Sequence, residues 1–589
     1  MNYKILTLLI MAFFWIKTPE YRLIIGLSYL ILIAYETFRT REKIEIRVLW
    51  VFALLQLIPF MDSRGKISEY ILILCITTFL VANRRKISVK TLLMIGVISV
   101  FSNIAFNVLY SYAGKVLSIA QFMGFDNSGH LGILTAINSH GRYLNFLNAG
   151  KAEIGLQFWQ YYPQGVMGSI ESILRILGLE YIDSNKFSIY IIFLLFNVAM
   201  YIIFVYLAYQ LLKNNRTNMV LNIIVIFILS ITSVFSIFLI NGFANYMYSL
   251  VVILIYIQIS YQQKSFVNKC LILFTMVLST PFILPIFVMT EIITYLMGKK
   301  NYDARTNVKK IVEIMFYLLV FSLYLIYYLD KWGYDYLSVP GGITPINNKY
   351  FILFIIFWIV FIRNRFISKS EINCFEVITV TSQLVFLLLS LVVITQSQTV
   401  SYYAIKQGYI AIILTIIYIV KEVSNLKFKG NSQTLIAKSF SLFLIMIITF
   451  SNGNVIQRIS FFNRYEVGSP RIAVNGTKII KSIAIASNMN ESEFIYVGLY
   501  DSDLSSRLLN GGVSKWDDYS SGLFYGLVAN ADSKTIQDKI DSLSKWLVLV
   551  NQGNTLREVN KLVIFYETKT KISAETNNKS SNFEFILID

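Results

Sequence analysis

The sequence is poor in cysteine, histidine and charged residues. It has three cysteines and two histidines among 589 residues. The cysteines lie in or beside apolar runs, so the polar regions can form neither a zinc site of the usual spacing nor a disulfide framework. Charged residues make up 15% of the chain, whereas a soluble protein has roughly 25%. The sequence also lacks a phosphate-binding glycine loop, a Gly-x-Ser-x-Gly element and a His-Glu-x-x-His element.

Long apolar runs take the place of these features. The chain is 56% hydrophobic, and runs such as 187–212 and 377–395 are long enough to span a bilayer. We therefore predict an all-α polytopic membrane protein with about 13–15 transmembrane helices. The predicted spans lie near 3–16, 20–37, 46–60, 68–82, 91–112, 187–212, 219–240, 243–261, 267–280, 282–298, 311–329, 349–363, 373–396, 402–420 and 435–452.

The net charge of +18 comes from short basic clusters between the apolar runs. Such clusters mark the cytoplasmic side of a membrane protein, and their natural partner is anionic membrane lipid, not nucleic acid. Assigning them to one side predicts a cytoplasmic N-terminus and an outer loop at 113–186. It also requires an even number of crossings between 267 and 298, as two short spans, which we favour, or as a re-entrant hairpin.

The composition changes near residue 453, which predicts two domains. Residues 1–452 form the transmembrane domain, and residues 453–589 form an extracytoplasmic domain of α/β or α+β type. The tail is long enough for a small folded domain. Three of its apolar runs are typical of buried strands, at 494–499, 546–550 and 562–566.

The outer loop holds the residue types that suit a carbohydrate site. Its candidate site residues are Asp126, His130, His140, Arg142, Trp159, Tyr161, Tyr162 and Gln164. Aromatic rings stack on sugars, and carboxylates and amides bond hydroxyl groups; a membrane-interface belt is the alternative explanation for the aromatic residues.

Asp126 and His130 are four residues apart, so on a helix they share a face. They could form an acid/base unit or half of a metal site. In the alternative, Asp126 caps a short helix and His130 is a satisfied interfacial residue. We predict no cofactor, and a divalent metal is not favoured because the loop has no Asp-x-Asp.

A second candidate position is the start of the span at 402–420. Lys406 lies about one turn inside its outer end, where a cation is costly unless it snorkels or meets an anion. A lipid phosphate is the natural partner, and Tyr402 and Tyr403 could bond its oxygens. Simple snorkelling is the alternative.

These motifs resemble those of bacterial membrane glycosyltransferases of the GT-C fold, which use polyprenyl-phosphate-linked sugars. The resemblance rests on Gly-Phe-Asp-Asn-Ser-Gly-His-Leu-Gly at 124–132, Tyr-Tyr-Pro-Gln-Gly at 161–165 and Tyr-Tyr-Ala-Ile-Lys at 402–406. It implies that Asp126 is the catalytic base and that Lys406 faces the donor phosphate. Two features depart from the family pattern. The aspartate follows five predicted spans rather than one, and the acidic pair of metal-dependent members is missing.

The resulting hypothesis is an inverting glycosyltransferase on the outer face of a bacterial plasma membrane. It would move a sugar from a polyprenyl-phosphate donor to a cell-wall polysaccharide or glycolipid. His130 would orient Asp126 or bind sugar, and Tyr161, Tyr162 and Gln164 would line the pocket. The alternatives are a flippase or transporter for a lipid-linked oligosaccharide and a surface-polysaccharide polymerase or ligase.

Overall fold

The computed structural model describes the chain in segments separated by gaps. The described residues are 3–17, 21–39, 44–60, 73, 76, 97–105, 130, 133–134, 137–138, 141–146, 162–179, 186–212, 244–261, 266–298, 304–332, 349–366, 373–397, 402–425, 493–496, 562–567 and 583–588. They fall into two compact units, residues 1–196 together with 465–589, and residues 197–464. The predicted domain boundary at 452–453 lies outside the described residues.

Helices make up most of the described chain. They are α1 (Tyr3–Lys17), α2 (Arg22–Arg39), α3 (Ile44–Leu57), α4 (Gly165–Ile176), α5 (Lys186–Leu212), α6 (Ala244–Tyr261), α7 (Phe266–Ser279), α8 (Leu284–Gly298), α9 (Ala304–Trp332), α10 (Lys349–Phe366), α11 (Cys374–Ser397) and α12 (Tyr402–Asn425). Apart from α4, each coincides with a predicted span. The predicted spans at 219–240 and 435–452 lie outside the described residues.

Four of the described helical segments are long and apolar enough to cross a membrane. They are Ile191–Leu212, Asn307–Tyr327, Cys374–Leu391 and Tyr403–Glu422. Shorter apolar helices cover Arg22–Tyr35, Ala244–Ser260, Phe266–Ser279 and Pro281–Met297. The last of the four long segments is also the most deeply enclosed, because residues 403–420 are all buried within the protein.

Helix α4 lies inside the stretch that we predicted as a polar-aromatic loop. In the first unit it packs against α2 and α3. The Trp15 indole N–H donates a hydrogen bond of 2.8 Å to the carbonyl of Ile176 at the end of this helix. Gly26 of α2 permits a close approach, since a Cβ there would lie 2.2 Å from the same carbonyl oxygen. The N-terminal helices α1, α2 and α3 therefore pack against α4 and hold its C-terminal end.

Helices α7 and α8 form a hairpin in the second unit. Thr280 leaves helical geometry with φ −156° and ψ 70°, and Pro281 begins a short 3-10 turn. Lys269 Nζ lies 2.7 Å from Glu291 Oε1, and these two residues are equally far along the chain from Thr280. Such a contact requires α8 to run back alongside α7, so the two helices are antiparallel.

Polar contacts cap the first turn of α11 in the second unit. Helix α11 begins with a reciprocal cap. The Asn373 side-chain oxygen accepts from the Glu376 N–H at 3.0 Å, and the Glu376 carboxylate accepts from the Asn373 N–H at 2.9 Å. This arrangement satisfies donors that a helix start otherwise leaves unpaired.

Three strands are described near the C-terminus. They are β1 (Glu493–Tyr496), β2 (Leu562–Glu567) and β3 (Phe583–Ile588), and they form a parallel sheet in the order β1-β2-β3. Strands were predicted at the positions of β1 and β2, whereas β3 was not predicted, and the predicted strand at 546–550 lies outside the described residues. Parallel neighbours need long crossover connections, which are typical of α/β structure.

Candidate functional site

Five described residues that begin at His130 lie on one face of a helical segment. His130, Ile133, Leu134, Ile137 and Asn138 are all helical and buried. Their spacing of three, four, seven and eight residues places them on one stripe of a helix. His130 is therefore held within the protein rather than at its surface.

His130 contacts the second motif of the loop. Its Nε2 atom lies 3.3 Å from the hydroxyl oxygen of Tyr162, and the two rings are inclined at 44° with centroids 6.0 Å apart. Tyr162 stands immediately before Pro163 and the start of α4. The structure thus brings together two sequence motifs separated by some thirty residues.

Gln164 holds neighbouring backbone rather than facing an open space. Its side-chain oxygen accepts a hydrogen bond of 2.8 Å from the Leu144 N–H. Its side-chain nitrogen donates a bond of 2.6 Å to the Asn145 side-chain oxygen. Only 3% of the residue is exposed, and both polar atoms of its side-chain amide bond within the protein.

A buried ion pair ties α4 to the end of the His130 segment. Glu171 and Arg175 are paired at 2.9 Å. The second Glu171 oxygen accepts a bond of 2.6 Å from the Asn138 side-chain nitrogen. Arg175 Nη2 donates a bond of 2.8 Å to the carbonyl of Gly141. We call Asn138, Gly141, Glu171 and Arg175 the loop anchor.

Tyr143 packs against α4 beside this anchor. Its hydroxyl donates a bond of 2.9 Å to the carbonyl of Gln56. Burial raises the pKa of Tyr143 well above its usual value, against a smaller opposing effect of the Arg175 charge. The hydroxyl is therefore neutral and serves as a donor. A Cβ on Gly168 would lie 2.3 Å from that oxygen, so glycine permits this contact.

Lys406 belongs to the second unit and is almost completely enclosed. Only 2% of it is exposed, and its Nζ lies 5.1 Å from the centre of the Tyr246 ring. This burial argues against simple snorkelling. The neighbouring Tyr403 ring stacks on Phe282 at the hairpin tip, with centroids 4.4 Å apart.

Hydroxyl groups and backbone surround the same hairpin tip. The Thr280 hydroxyl donates a bond of 3.1 Å to the carbonyl of Asn245, and it also contacts the Ser249 hydroxyl. Lys406 therefore lies on α12, and the first turn of α12 contacts the break between α7 and α8. Such breaks at membrane depth are tolerated where they are buried in protein or line a cavity.

The predicted site residues divide between the two units. His130, Arg142, Tyr162 and Gln164 lie in the first, and Tyr403 and Lys406 lie in the second; Arg142 is half-buried. Asp126, His140, Trp159 and Tyr161 lie outside the described residues, as does the Tyr402 side chain. In the part of the chain that the structure describes, no group of three or more His, Cys, Asp or Glu side chains could hold a metal.

The second unit also contains a charge network that the sequence did not predict. Lys269, Glu291, Lys310 and Glu313 join α7, α8 and α9, and we call them the hairpin clamp. Besides the pair that closes the hairpin, Lys269 lies 3.1 Å from Glu313 and Lys310 lies 3.2 Å from it. The Tyr256 hydroxyl of α6 donates a bond of 2.6 Å to Glu291.

Glu291 and Glu376, which lie within predicted spans, are both paired within the protein. Glu291 is part of the hairpin clamp, and Glu376 contacts Arg365 and the Tyr418 hydroxyl. The one available signal for the loop anchor was the four-residue spacing of Glu171 and Arg175, which places opposite charges together on a helix.

Comparison with protein-family models, with curated proteins and with solved structures gave no match.

Proposed function

We propose that this chain is a polytopic membrane glycosyltransferase that works on the outer face of a bacterial plasma membrane. Its donor is a polyprenyl-phosphate-linked sugar, and its acceptor is a hydroxyl group of a cell-envelope polysaccharide or glycolipid. The contact between His130 and Tyr162 carries the proposal, because it joins the two loop motifs on which the resemblance rests.

The proposed reaction is a single displacement with inversion. Asp126, four residues before His130, accepts the proton of the acceptor hydroxyl as its oxygen attacks the anomeric carbon. The bond between that carbon and the phosphate oxygen breaks, and polyprenyl phosphate leaves with the bonding electrons. His130 keeps Asp126 oriented or bonds the sugar, and Tyr162 contributes a hydroxyl beside it.

Lys406 has the properties expected of a group that stabilises the leaving phosphate. Its burial strengthens any interaction with an anion, since charges attract more strongly in a medium of low dielectric constant. A charge stabilised where it develops lowers the barrier to transfer. The tyrosines at 402 and 403 precede it on α12, and the proposal gives them phosphate contacts.

The hairpin of α7 and α8 supports the proposed orientation. Its two ends return to the same side, so the stretch contributes the even number of crossings that the basic clusters require. With this count, the basic clusters stay cytoplasmic. The catalytic loop and the C-terminal sheet then belong to the outer side.

The test is sugar transfer by purified protein in nanodiscs. The protein receives a panel of radiolabelled polyprenyl-phosphate sugars and an envelope extract as acceptor. Asp126→Asn is compared with wild type, and Asp183→Asn in the same predicted loop serves as the matched control. The proposal expects transfer by wild type and control, and loss of at least about 100-fold in Asp126→Asn, the lower range for a general base.

Two other results would count against parts of the proposal. Transfer that survives Asp126→Asn would remove the base role from this residue. Labelled lipid that binds without any transfer from any donor would contradict the transferase and favour a lipid-linked oligosaccharide flippase, which needs the same phosphate-binding cation.

A further inference from the structure

The segment that begins at His130 and the segment that begins at Tyr162 lie side by side and run in the same direction. His130 meets Tyr162 at one end, and Asn138 meets Glu171 at the other. At 1.5 Å per residue, the helical distance from His130 to Asn138 is about 12 Å, and Tyr162 and Glu171 are separated by a similar stretch of chain. Contacts at both ends therefore fix both the offset and the rotation of the pair.

The contact of Asn138 with Glu171 (the far contact) uses a stronger type of hydrogen bond than the contact of His130 with Tyr162 (the near contact). The near contact joins an imidazole nitrogen and a phenol hydroxyl across 3.3 Å. The far contact uses a carboxylate and a guanidinium, and charged hydrogen bonds are roughly twice as strong as neutral ones. Glu171 and Arg175 are only 2% and 3% exposed, so water does not compete for these bonds.

The backbone at Gly141 makes the far contact directional. Gly141 has φ 71°, a conformation that glycine adopts easily. Its N–H bonds the Ile137 carbonyl at 2.8 Å, while its own carbonyl accepts from Arg175. Arg175 therefore holds the C-terminal end of the His130 helix in a single orientation.

We propose that Glu171 and Arg175 are positioning residues that hold His130 against Tyr162 from the opposite end of the segment 130–141. The arginine fork bonds a carboxylate and a carbonyl at once, which a lysine cannot reproduce with the same geometry. The geometric part of this inference stands by itself. Its consequence for catalysis rests on the proposed transferase.

The geometric part is tested by cross-linking, which needs no turnover. Cysteines replace His130 and Tyr162 in a chain whose native cysteines are changed to serine, and a short bifunctional maleimide joins them. Adding Arg175→Met removes the charged hydrogen bond to the Gly141 carbonyl, and we expect cross-linking to slow by about tenfold. Lys269→Met, which breaks a buried ion pair in the second unit, is the control and leaves the rate unchanged.

A milder variant guards against loss of folding. Asn138→Ala removes the bond between the segment and Glu171 but leaves Arg175 bonded to the Gly141 carbonyl. We therefore expect cross-linking to slow by about threefold, less than in Arg175→Met. Arg175→Lys is expected to fall between wild type and Arg175→Met. Equal cross-linking rates in wild type, Asn138→Ala and Arg175→Met would overturn the inference.

The catalytic consequence has a separate measurement. In the transfer assay, Asn138→Ala is expected to lower kcat with little change in KM for the donor, because it displaces a catalytic-loop helix rather than a donor contact. A change in KM alone would contradict a positioning role. If cross-linking slows and no variant, including wild type, transfers sugar, the anchor stands and the transferase fails.

Discussion

The loop anchor and the hairpin clamp are both buried charge networks, but they are assembled in different ways. In the anchor, the two charges lie one turn apart on α4, and the other partners are an amide and a carbonyl. In the clamp, the four charges come from three helices. The anchor therefore orients a segment against a preformed pair, whereas the clamp exists only once its helices have assembled.

This difference separates two uses of buried charge. A buried pair is weak support for stability in itself, since its desolvation offsets much of the attraction, yet removing one partner is costly. The clamp joins whole helices, so its loss should mainly lower stability. The anchor fixes a short helical segment of the candidate site, so its loss should mainly change geometry.

The largest effect is expected from removing the centre of the clamp. Glu291 contacts Lys269, Lys310 and the Tyr256 hydroxyl. Glu291→Gln leaves two cations near one another without this carboxylate, and we expect the free energy of unfolding to fall by about 5 kcal/mol, the upper range for a broken buried pair. Thermal and SDS unfolding in detergent measure it. The control Lys309→Met changes an exposed residue, and equal losses in both variants would refute a special role for the clamp.

A smaller loss of stability is expected when the anchor is broken. Arg175→Met leaves Glu171 buried, but Asn138 still donates to that carboxylate. We expect the free energy of unfolding to fall by about 3 kcal/mol, the lower range for such a change. The same unfolding experiment applies. A loss larger than that of Glu291→Gln would reverse the ranking of the two networks.

The close packing beside the anchor provides a test that leaves its charges intact. Gly168→Ala places a methyl group against the Tyr143 hydroxyl, and we expect overpacking to cost about 2 kcal/mol. Gly168→Ala combined with Tyr143→Phe removes the hydroxyl that the methyl group meets, so it should recover part of this loss. No recovery would show that the Tyr143 ring, whose Cε1 and Cζ atoms also lie close to the added methyl group, resists the change rather than the hydroxyl.

The smallest effect on stability is expected when both Glu171 and Arg175 are replaced. This double variant also best separates the positioning role of the anchor from its effect on stability. Glu171→Leu with Arg175→Met removes both buried charges, and we expect this double variant to be at least about 1 kcal/mol more stable than Arg175→Met alone. Cross-linking between positions 130 and 162 should nevertheless stay slow. Recovery of both stability and cross-linking would mean that ordinary packing, not the ion pair, positions the segment.

The helices could be predicted because each apolar run carries its own signal, independent of its neighbours. Strands β1 and β2 were visible for the same reason, since Val, Ile, Phe and Tyr recur in short runs. Helix α4 was missed because Gly165, Gly168 and Ser169 weaken its helical pattern, and its core face is completed only by contact with α2 and α3. Strand β3, which follows a polar stretch, was also missed.

Charged partners that lie far apart in the sequence could not be predicted. Lys269 and Glu313 meet although they are 44 residues apart, and no local pattern specifies such a pair. Similarly, the likeness of the two loop motifs to a glycosyltransferase did not show that Gln164 would bond the Leu144 backbone. Lys406 likewise contacts Tyr246, a residue on another helix.

The most direct test of the account is whether His130 and Tyr162 act as one unit in sugar transfer. Wild type, His130→Asn, Tyr162→Phe and the double variant are compared by kcat/KM with the best polyprenyl-phosphate donor. A double-mutant cycle isolates the coupling between the two side chains. We expect the double variant to be no worse than the more impaired single variant, with a coupling of about 1 kcal/mol, as for one hydrogen bond. Independent, multiplicative losses would contradict the claim that the two loop motifs form one catalytic pocket.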